Sequence, residues 1–428
     1  MNPLVYWVWL SLRCGAGSEL GTYLLKHFSS PKEIYEASEE TLRSVEGIDG
    51  NILKALLDRD LTYSEKIVTY CERVNVGIMT PESTVYPERL RGIHAKPLVL
   101  YYRGKIPNLD DNVLIACVGT RKCSKQGAET AHQLGRDLAN AGAIVVSGMA
   151  LGIDAETQRG ALSAGGHTIA VLGCGIDRAY PYENKDLMEE IAAKGTVITE
   201  FAPGTDPSAK NFPIRNRILS GLCQGTVVVE ADIGSGSLIT AKYAFRQGRD
   251  LFAFPGYAGD PLAEGTNMLI KNGATLVTCA YDILCDYELL YPHRIFTENI
   301  SMAKFKKKVA SPAEELFAEK AVGILRFDRE KVKTNEKKTK KSAKTEAPVQ
   351  PQTEKKAPSQ KDTSMLAEYE KLLLSVVTEA ISVEEIASRF AAKSGVPTDT
   401  GTLLSSLTML EIEGFLEALP GGSYQPIE

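Results

Sequence analysis

At 428 residues, with 43% hydrophobic and 24% charged side chains, the chain is expected to fold as two or three globular domains. A formal net charge of −5 excludes a protein that coats duplex DNA through bulk positive charge, so any nucleic-acid contact must come from a local patch. The eight cysteines form no C-x-x-C pair and the five histidines are scattered, which argues against a metal centre and for reduced thiols in a cytoplasmic protein.

The opening M-N-P-L-V-Y-W-V-W-L is apolar, but it lacks a basic leader and a small-residue cleavage site and is too short to span a bilayer. Residues 1–85 read as a small helical module of the helix-hairpin-helix or SAM-like kind. Apolar positions at three- and four-residue spacing predict helices over Leu20–Phe28, Pro31–Ala37, Glu39–Val45 and Asn51–Leu57. Gly47-Ile48-Asp49-Gly50 lies between the last two. Such a helix–G-x-x-G–helix unit either binds a phosphate through backbone N–H groups or simply turns the chain between packed helices. Residues 80–112 form a bridging segment that ends in a strand, Leu98–Arg103.

From Asn112 the period changes. Apolar runs at Val113–Val118, Ala143–Val146, Thr168–Leu172, Thr196–Thr199, Thr226–Val229, Leu251–Phe254 and Thr275–Val277 alternate with helical segments such as Gln126–Ala141. That alternation predicts an α/β domain over 86–295, a Rossmann-like, doubly wound and mostly parallel sheet covered on both faces. Its strand-to-helix junctions are marked by glycines and small hydroxyls: Gly119-Thr120-Arg121, Ser147-Gly148-Met149-Ala150-Leu151-Gly152-Ile153-Asp154, Gly173-Cys174-Gly175, and Asp232-Ile233-Gly234-Ser235-Gly236-Ser237. Residues of this kind let an anion approach N–H groups at helix N-termini, and repeated along one sheet edge they describe a phosphate-tracking surface. No junction completes G-x-G-x-x-G, and no P-loop is present. Asp154 is either a helix N-terminal carboxylate or the group that orients its turn. No second acid or histidine beside it makes a catalytic pair, and no Ser–His–Asp set assembles.

The stretch K-N-F-P-I-R-N-R-I-L-S-G-L, Lys210 to Leu222, falls between two of the apolar runs, outside the carboxyl ends of the strands. Phe212 offers a ring, Lys210, Arg215 and Arg217 offer cations, and Asn216 offers an amide, a set suited to single-stranded nucleic acid. Pro213 would hold Phe212 extended and open a helix. The alternative is a helix that starts at Pro213, buries Ile214, Ile218 and Leu219, and leaves its arginines in water.

Taken together, G-T-R (119–121), S-G-M-A-L-G-I-D (147–154), V-L-G-C-G-I-D-R-A-Y-P-Y-E-N (171–184), F-P-I-R-N-R-I-L-S-G-L (212–222), S-G-S-L-I-T-A (235–241), F-A-F-P-G (252–256) and G-T-N-M-L-I-K-N-G-A (265–274) resemble the DNA-processing protein A (DprA/Smf) family. The resemblance implies an extended Rossmann fold that binds single-stranded DNA, forms homodimers and loads a RecA-type recombinase during natural transformation, without enzymatic activity. It also implies that Arg121 binds a phosphate at the first helix N-terminus, and that Lys210 and F-P-I-R-N-R line the same pocket. Leu269 and Ile270 become candidates for a dimer face, with an ordinary core role as the alternative. The expected DNA-contacting set is therefore Gly119, Thr120, Arg121, Ser147, Gly148, Gly152, Lys210, Phe212, Arg215, Asn216, Arg217, Gly234, Ser235, Gly236 and Ser237, with no metal, cofactor or catalytic residue. The rivals are a nucleotide hydrolase of the lysine-decarboxylase-like (LOG) type, whose motif carries a glutamate that D-I-G-S-G-S-L-I-T lacks, and a non-catalytic scaffold.

Residues 296–363 shift to Lys, Glu, Thr, Ser, Pro and Gln, including K-F-K-K-K, and read as a disordered basic linker. Residues 364–428 return to order. A helix over Met365–Thr378, a capped start at Ser382, a helix over Thr400–Gly414 and two short strands about Gly421-Gly422 resemble the winged helix that many family members carry. The would-be recognition helix, T-L-L-S-S-L-T-M-L-E-I-E, has no Lys or Arg, so a protein contact is expected there rather than groove reading.

Overall fold

A computed structural model describes residues 2–300, 368–394, 403, 407, 410, 415–419 and 423–427. They fall in two units, within Met1–Phe317 and within Ala318–Glu428. In the first, nine strands share one sheet: β1 (Gly77–Met79), β2 (Leu100–Gly104), β3 (Leu114–Val118), β4 (Ile144–Ser147), β5 (Thr168–Val171), β6 (Thr196–Thr199), β7 (Gly225–Val228), β8 (Asp250–Ala253) and β9 (Thr275–Leu276). Their order is β1-β2-β6-β5-β4-β3-β7-β8-β9. The run from β6 to β9 is parallel, while β2 joins β6 and β1 joins β2 antiparallel. Strands β3 to β9 fall on the seven apolar runs, and β3 to β7 are buried at every position because helices cover both faces. The sequence pattern did not show β1, which carries the sheet across the boundary expected at residue 85.

The helices, in order, are α1 (Pro3–Cys14), α2 (Leu20–His27), α3 (Pro31–Glu36), α4 (Glu39–Arg43), α5 (Gly50–Leu57), α6 (Thr62–Arg73), α7 (Glu88–Arg91), α8 (Lys125–Asn140), α9 (Ile153–Ser163), α10 (Lys185–Lys194), α11 (Asn211–Leu222), α12 (Ser237–Arg246), α13 (Pro261–Lys271) and α14 (Ala280–Leu290). The apolar opening is α1, buried without a break from Val5 to Leu10. Trp7, Trp9, Leu24 and Leu56 share one core with Val99, Tyr101, Leu172 and Val197, so the N-terminal helices pack directly on a sheet face. On the opposite face Ile218 and Leu222 of α11 and Leu269 of α13 pack on Leu114, Val146 and Ile169. Leu269, a candidate for the dimer face, is thus a core residue, and Ile270 lies half-buried against the same cluster. At Gly47–Gly50 the Asp49 carboxylate accepts the Asn51 and Ile52 N–H groups, both at 2.8 Å, so the donors a phosphate would need are already bonded.

Order runs past residue 296, where the linker was expected to begin. The Phe296 N–H donates to Ala141 O at 2.9 Å, and Ile295 and Ile300 are buried in the core beneath α8 and α14. The rest of that linker lies outside the described residues. In the second unit, helices Glu368–Leu374 and Val383–Ser394 accompany a three-stranded antiparallel sheet in which Ser423–Pro426 lies between Ile381–Ser382 and Leu416–Leu419. Most of Thr400–Gly414, the segment on which the winged-helix expectation turns, lies outside the described residues. Among the described residues no helix is long and apolar enough to cross a membrane.

Candidate nucleic-acid interface

The junctions after β3, β4, β5 and β7 converge with the start of α11 on a cleft of about 680 Å³ at the carboxyl ends of the strands. Gly119, Thr120, Arg121 and Lys122 form one wall. Phe212, Arg215 and Asn216 form another, Ser235, Gly236 and Ser237 a third, and Tyr180 stands at the rim with Asp154 in the floor. Three groups stack in succession toward the rim. The exposed Arg121 guanidinium lies over the Phe212 ring at 5.4 Å, and that ring lies 5.3 Å from the Tyr180 ring at an interplanar angle of 33°. Gly173 brings the third junction against this stack, since a Cβ there would sit 2.8 Å from the Phe212 ring.

Helix α11 begins at Asn211, not at Pro213, so Phe212 is helical rather than extended. Proline is tolerated within the first turn, where N–H groups lack intrahelical partners in any case. The helix does not leave its arginines in water either. Arg215 and Arg217 are 5% and 3% exposed, while Ile214 is only half-buried. Arg215 Nη1 donates to Gly148 O at 3.0 Å and to Val171 O, and its Nε donates to Asn216 Oδ1 at 3.0 Å. Asp154, in the first turn of α9, accepts the Gly148 N–H at 3.1 Å. Burial brings Arg215 down to about 10, with Asp154 pulling the other way, so the guanidinium stays charged at neutral pH. Burial pushes the Asp154 carboxyl up, opposed by Arg215 and by its hydrogen-bond donors. Both sequence readings of Asp154 hold, because it is a first-turn carboxylate that also fixes the preceding turn.

The second junction is therefore a packing motif beneath the cleft rather than an open anion site. Ser147 Oγ donates to Cys117 O at 2.6 Å and is buried. The Gly148 N–H is taken by Asp154, and a Cβ there would sit 2.5 Å from Arg215 Nη2. Gly152 has φ 76° and faces Thr120 O and Arg121 O at 2.5 and 2.7 Å from an added Cβ, a place only glycine fits. Ser147, Gly148 and Gly152 do not line the cleft.

Arg217 is set apart as well. Its Nη2 contacts both oxygens of Glu200 at 2.7 and 2.8 Å, and the two side chains are 4% and 8% exposed. The Gly17 N–H reaches the same carboxylate at 3.5 Å, and burial pushes Glu200 up against the pull of Arg217. Lys210 is exposed at the N-cap of α11, and Gly234 sits in its loop; neither lines the cleft.

At the first junction the N-terminus of α8 is already occupied. Glu230 accepts from the Ser124 N–H at 2.9 Å and from Ser124 Oγ at 2.5 Å, and Ser124 Oγ in turn accepts the Gly127 N–H. Arg121 lies in the loop before α8, not at that helix end. The fourth junction presents hydroxyls rather than unbonded N–H groups. The N-cap Gly236 of α12 has no side chain, but the Ser237 N–H donates to Ser235 Oγ at 3.4 Å. The Leu238 and Ile239 N–H groups donate to Ser235 O and Gly236 O at 3.0 and 3.3 Å. This turn therefore offers the cleft the hydroxyls of Ser235 and Ser237, and Asn216 Nδ2 reaches Gly236 O at 3.5 Å. Tyr180, Lys122, Asp232 and Thr240 also line the cleft and were not anticipated. For Tyr180 the available signal was an aromatic in a strand-to-helix loop on the same sheet edge.

Residues 77–288 match the family model of DNA recombination-mediator protein A. The DNA processing protein DprA of Streptococcus pneumoniae is 44% identical over 203 residues, which cover 47% of this chain and 71% of that one. Protein Smf of Synechocystis sp. is 35% identical over 283 residues, covering 65% and 71%. The X-ray structure of DNA processing protein A from Streptococcus pneumoniae superposes with a TM-score of 0.58 at 33% identity, over 66% of this chain and 97% of that one.

Proposed function

Because the chain belongs to the DNA-processing protein A (DprA/Smf) family, we propose that it binds single-stranded DNA in the cleft at the carboxyl ends of β3 and β7. The observation that carries this reading is the Arg121–Phe212–Tyr180 stack in the same cleft as the Ser235 and Ser237 hydroxyls. An unstacked base of a single strand presents a face to a protein ring, which a paired and stacked duplex base does not, and a phosphate takes a cation and polar donors such as hydroxyls. Phe212 and Tyr180 receive bases, while Arg121, Lys122 and the Ser235–Ser237 turn receive phosphates. Asn216 bonds a base edge or sugar, and Lys210 approaches from outside the cleft. Arg215 and Asp154 act beneath, holding α11 against the second junction. The role is binding rather than hydrolysis: Asp154 is tied to Gly148, and the S-G-S-L-I-T turn has no glutamate. The same reading has a homodimer, in the cytoplasm, protecting incoming strands and passing them to a RecA-type recombinase in natural transformation.

Titration of labelled single- and double-stranded oligonucleotides at several salt concentrations tests it. The expected result is a preference for single strands, weakening with salt, and a loss of about 5- to 150-fold in Phe212→Ala, with a clear loss in Arg121→Ala. Equal affinity for duplex, or an Arg121→Ala variant indistinguishable from wild type, would remove the reading. Growth of recombinase filaments on single strands, with and without the full chain, tests the hand-off.

A further inference from the structure

Two residues beyond the rim tyrosine, the same loop carries a second ring. Tyr182 is 75% exposed, and the Lys185 ammonium lies over it at 5.9 Å. A single exposed aromatic needs no explanation on a protein surface. This one sits on a loop that is fixed from below. Asn184, 2% exposed, donates from Nδ2 to Met149 O at 3.0 Å and accepts from Arg159 Nη2 at 3.1 Å. Its N–H closes the turn onto Pro181 O at 3.1 Å. The loop is thereby tied to the β4–α9 junction whose Asp154 and Gly148 support the cleft floor. A ring presented on a rigid loop loses little freedom when a base stacks on it, and a cation beside the ring suits the phosphate that follows. The acidic neighbours Glu183 and Asp186 are also exposed, so net charge does not draw DNA here and stacking has to carry the contact.

We propose that the bound strand leaves the cleft past Tyr180 and stacks a further base on Tyr182, with Lys185 on the adjoining phosphate, as a second nucleotide-binding step outside the cleft. The inference rests on the single-strand reading of the cleft. It assigns Tyr182 and Lys185 a role in how long a strand the protein engages, not in whether it engages one.

The test measures affinity for oligothymidylates stepped in length, by fluorescence anisotropy, with the full chain. Wild type gains affinity with length until the strand reaches Tyr182. Tyr182→Ala binds the shortest retained oligonucleotides as wild type does, but loses about 5- to 150-fold on the longer ones, and Tyr182→Phe restores the wild-type profile. Lys185→Ala gives a smaller loss that disappears at high salt. A Tyr182→Ala profile that matches wild type at every length overturns the proposal, as does an equal loss at every length. If wild type binds no oligothymidylate of any length, the cleft reading itself fails, and this outcome is distinct from the other two.

Discussion

Charge alone does not rank the cations around this cleft; burial does. Arg121 is exposed, with no acid within ion-pair distance among the described residues, whereas Arg215 and Arg217 are enclosed and hydrogen-bonded. Removing one partner of a buried ion pair leaves the other unpaired and costs about 3–5 kcal/mol. Arg217→Ala is therefore expected to lower the stability measured by urea unfolding by that amount, through the abandoned Glu200. Arg121→Ala, at an exposed site, is expected to stay within about 0.5 kcal/mol of wild type in the same measurement while losing DNA affinity. If Arg217→Ala unfolds like wild type, the Glu200 pair is not what holds α11 on that side. Arg217 of F-P-I-R-N-R would thus be a stability residue and Arg121 of G-T-R a ligand residue.

Helix α11 is clamped between two distant elements, and this is where sequence reading stopped. Strands β3 to β9 were legible because a parallel sheet covered on both faces writes itself as unbroken apolar runs. The face assignment of α11 was not, because Arg215 bonds the carbonyls of Gly148 and Val171 and Arg217 pairs with Glu200, all far off in the chain, and no periodicity within the helix records them. Short β1 and the all-round buried α1 escaped for related reasons: three residues give no alternation, and a helix without a polar face gives no period. The glycines of S-G-M-A-L-G-I-D were visible but pointed to an anion, when Gly148 is small chiefly because Arg215 lies against it. Gly148→Ala tests that coupling. Its Cβ would have to displace the guanidinium or shift α11, so stability is expected to fall by about 1–3 kcal/mol and single-strand affinity to fall with it. An alanine variant with unchanged unfolding midpoint and unchanged affinity would show that the β4–α9 turn does not position α11.

For the whole molecule the informative quantity is the small number of cations that the cleft leaves free. The chain is net −5, and for a strand confined to the cleft Arg121, Lys122 and Lys210 are the exposed cations at hand, since Arg178 is paired with Asp177 and Asp206 and Lys185 lies farther along the Tyr182 loop. Each phosphate neutralised on a single strand contributes about −0.7 to the slope of log affinity against log salt. Three such contacts predict a slope of about −2, shallow beside proteins that coat DNA with basic faces, and Arg121→Ala should make it shallower by about 0.7. If bases stack on these rings as proposed, that affinity is not screened by salt, so binding at high salt should persist in wild type and fail in Phe212→Ala. Anisotropy titrations across a salt series separate the two contributions in one experiment. A slope of about −5 or steeper would mean that lysines far from this cleft carry the phosphates. The cleft would then be a minor contributor, and the acidic balance of the chain would have to be reconciled with a basic face elsewhere.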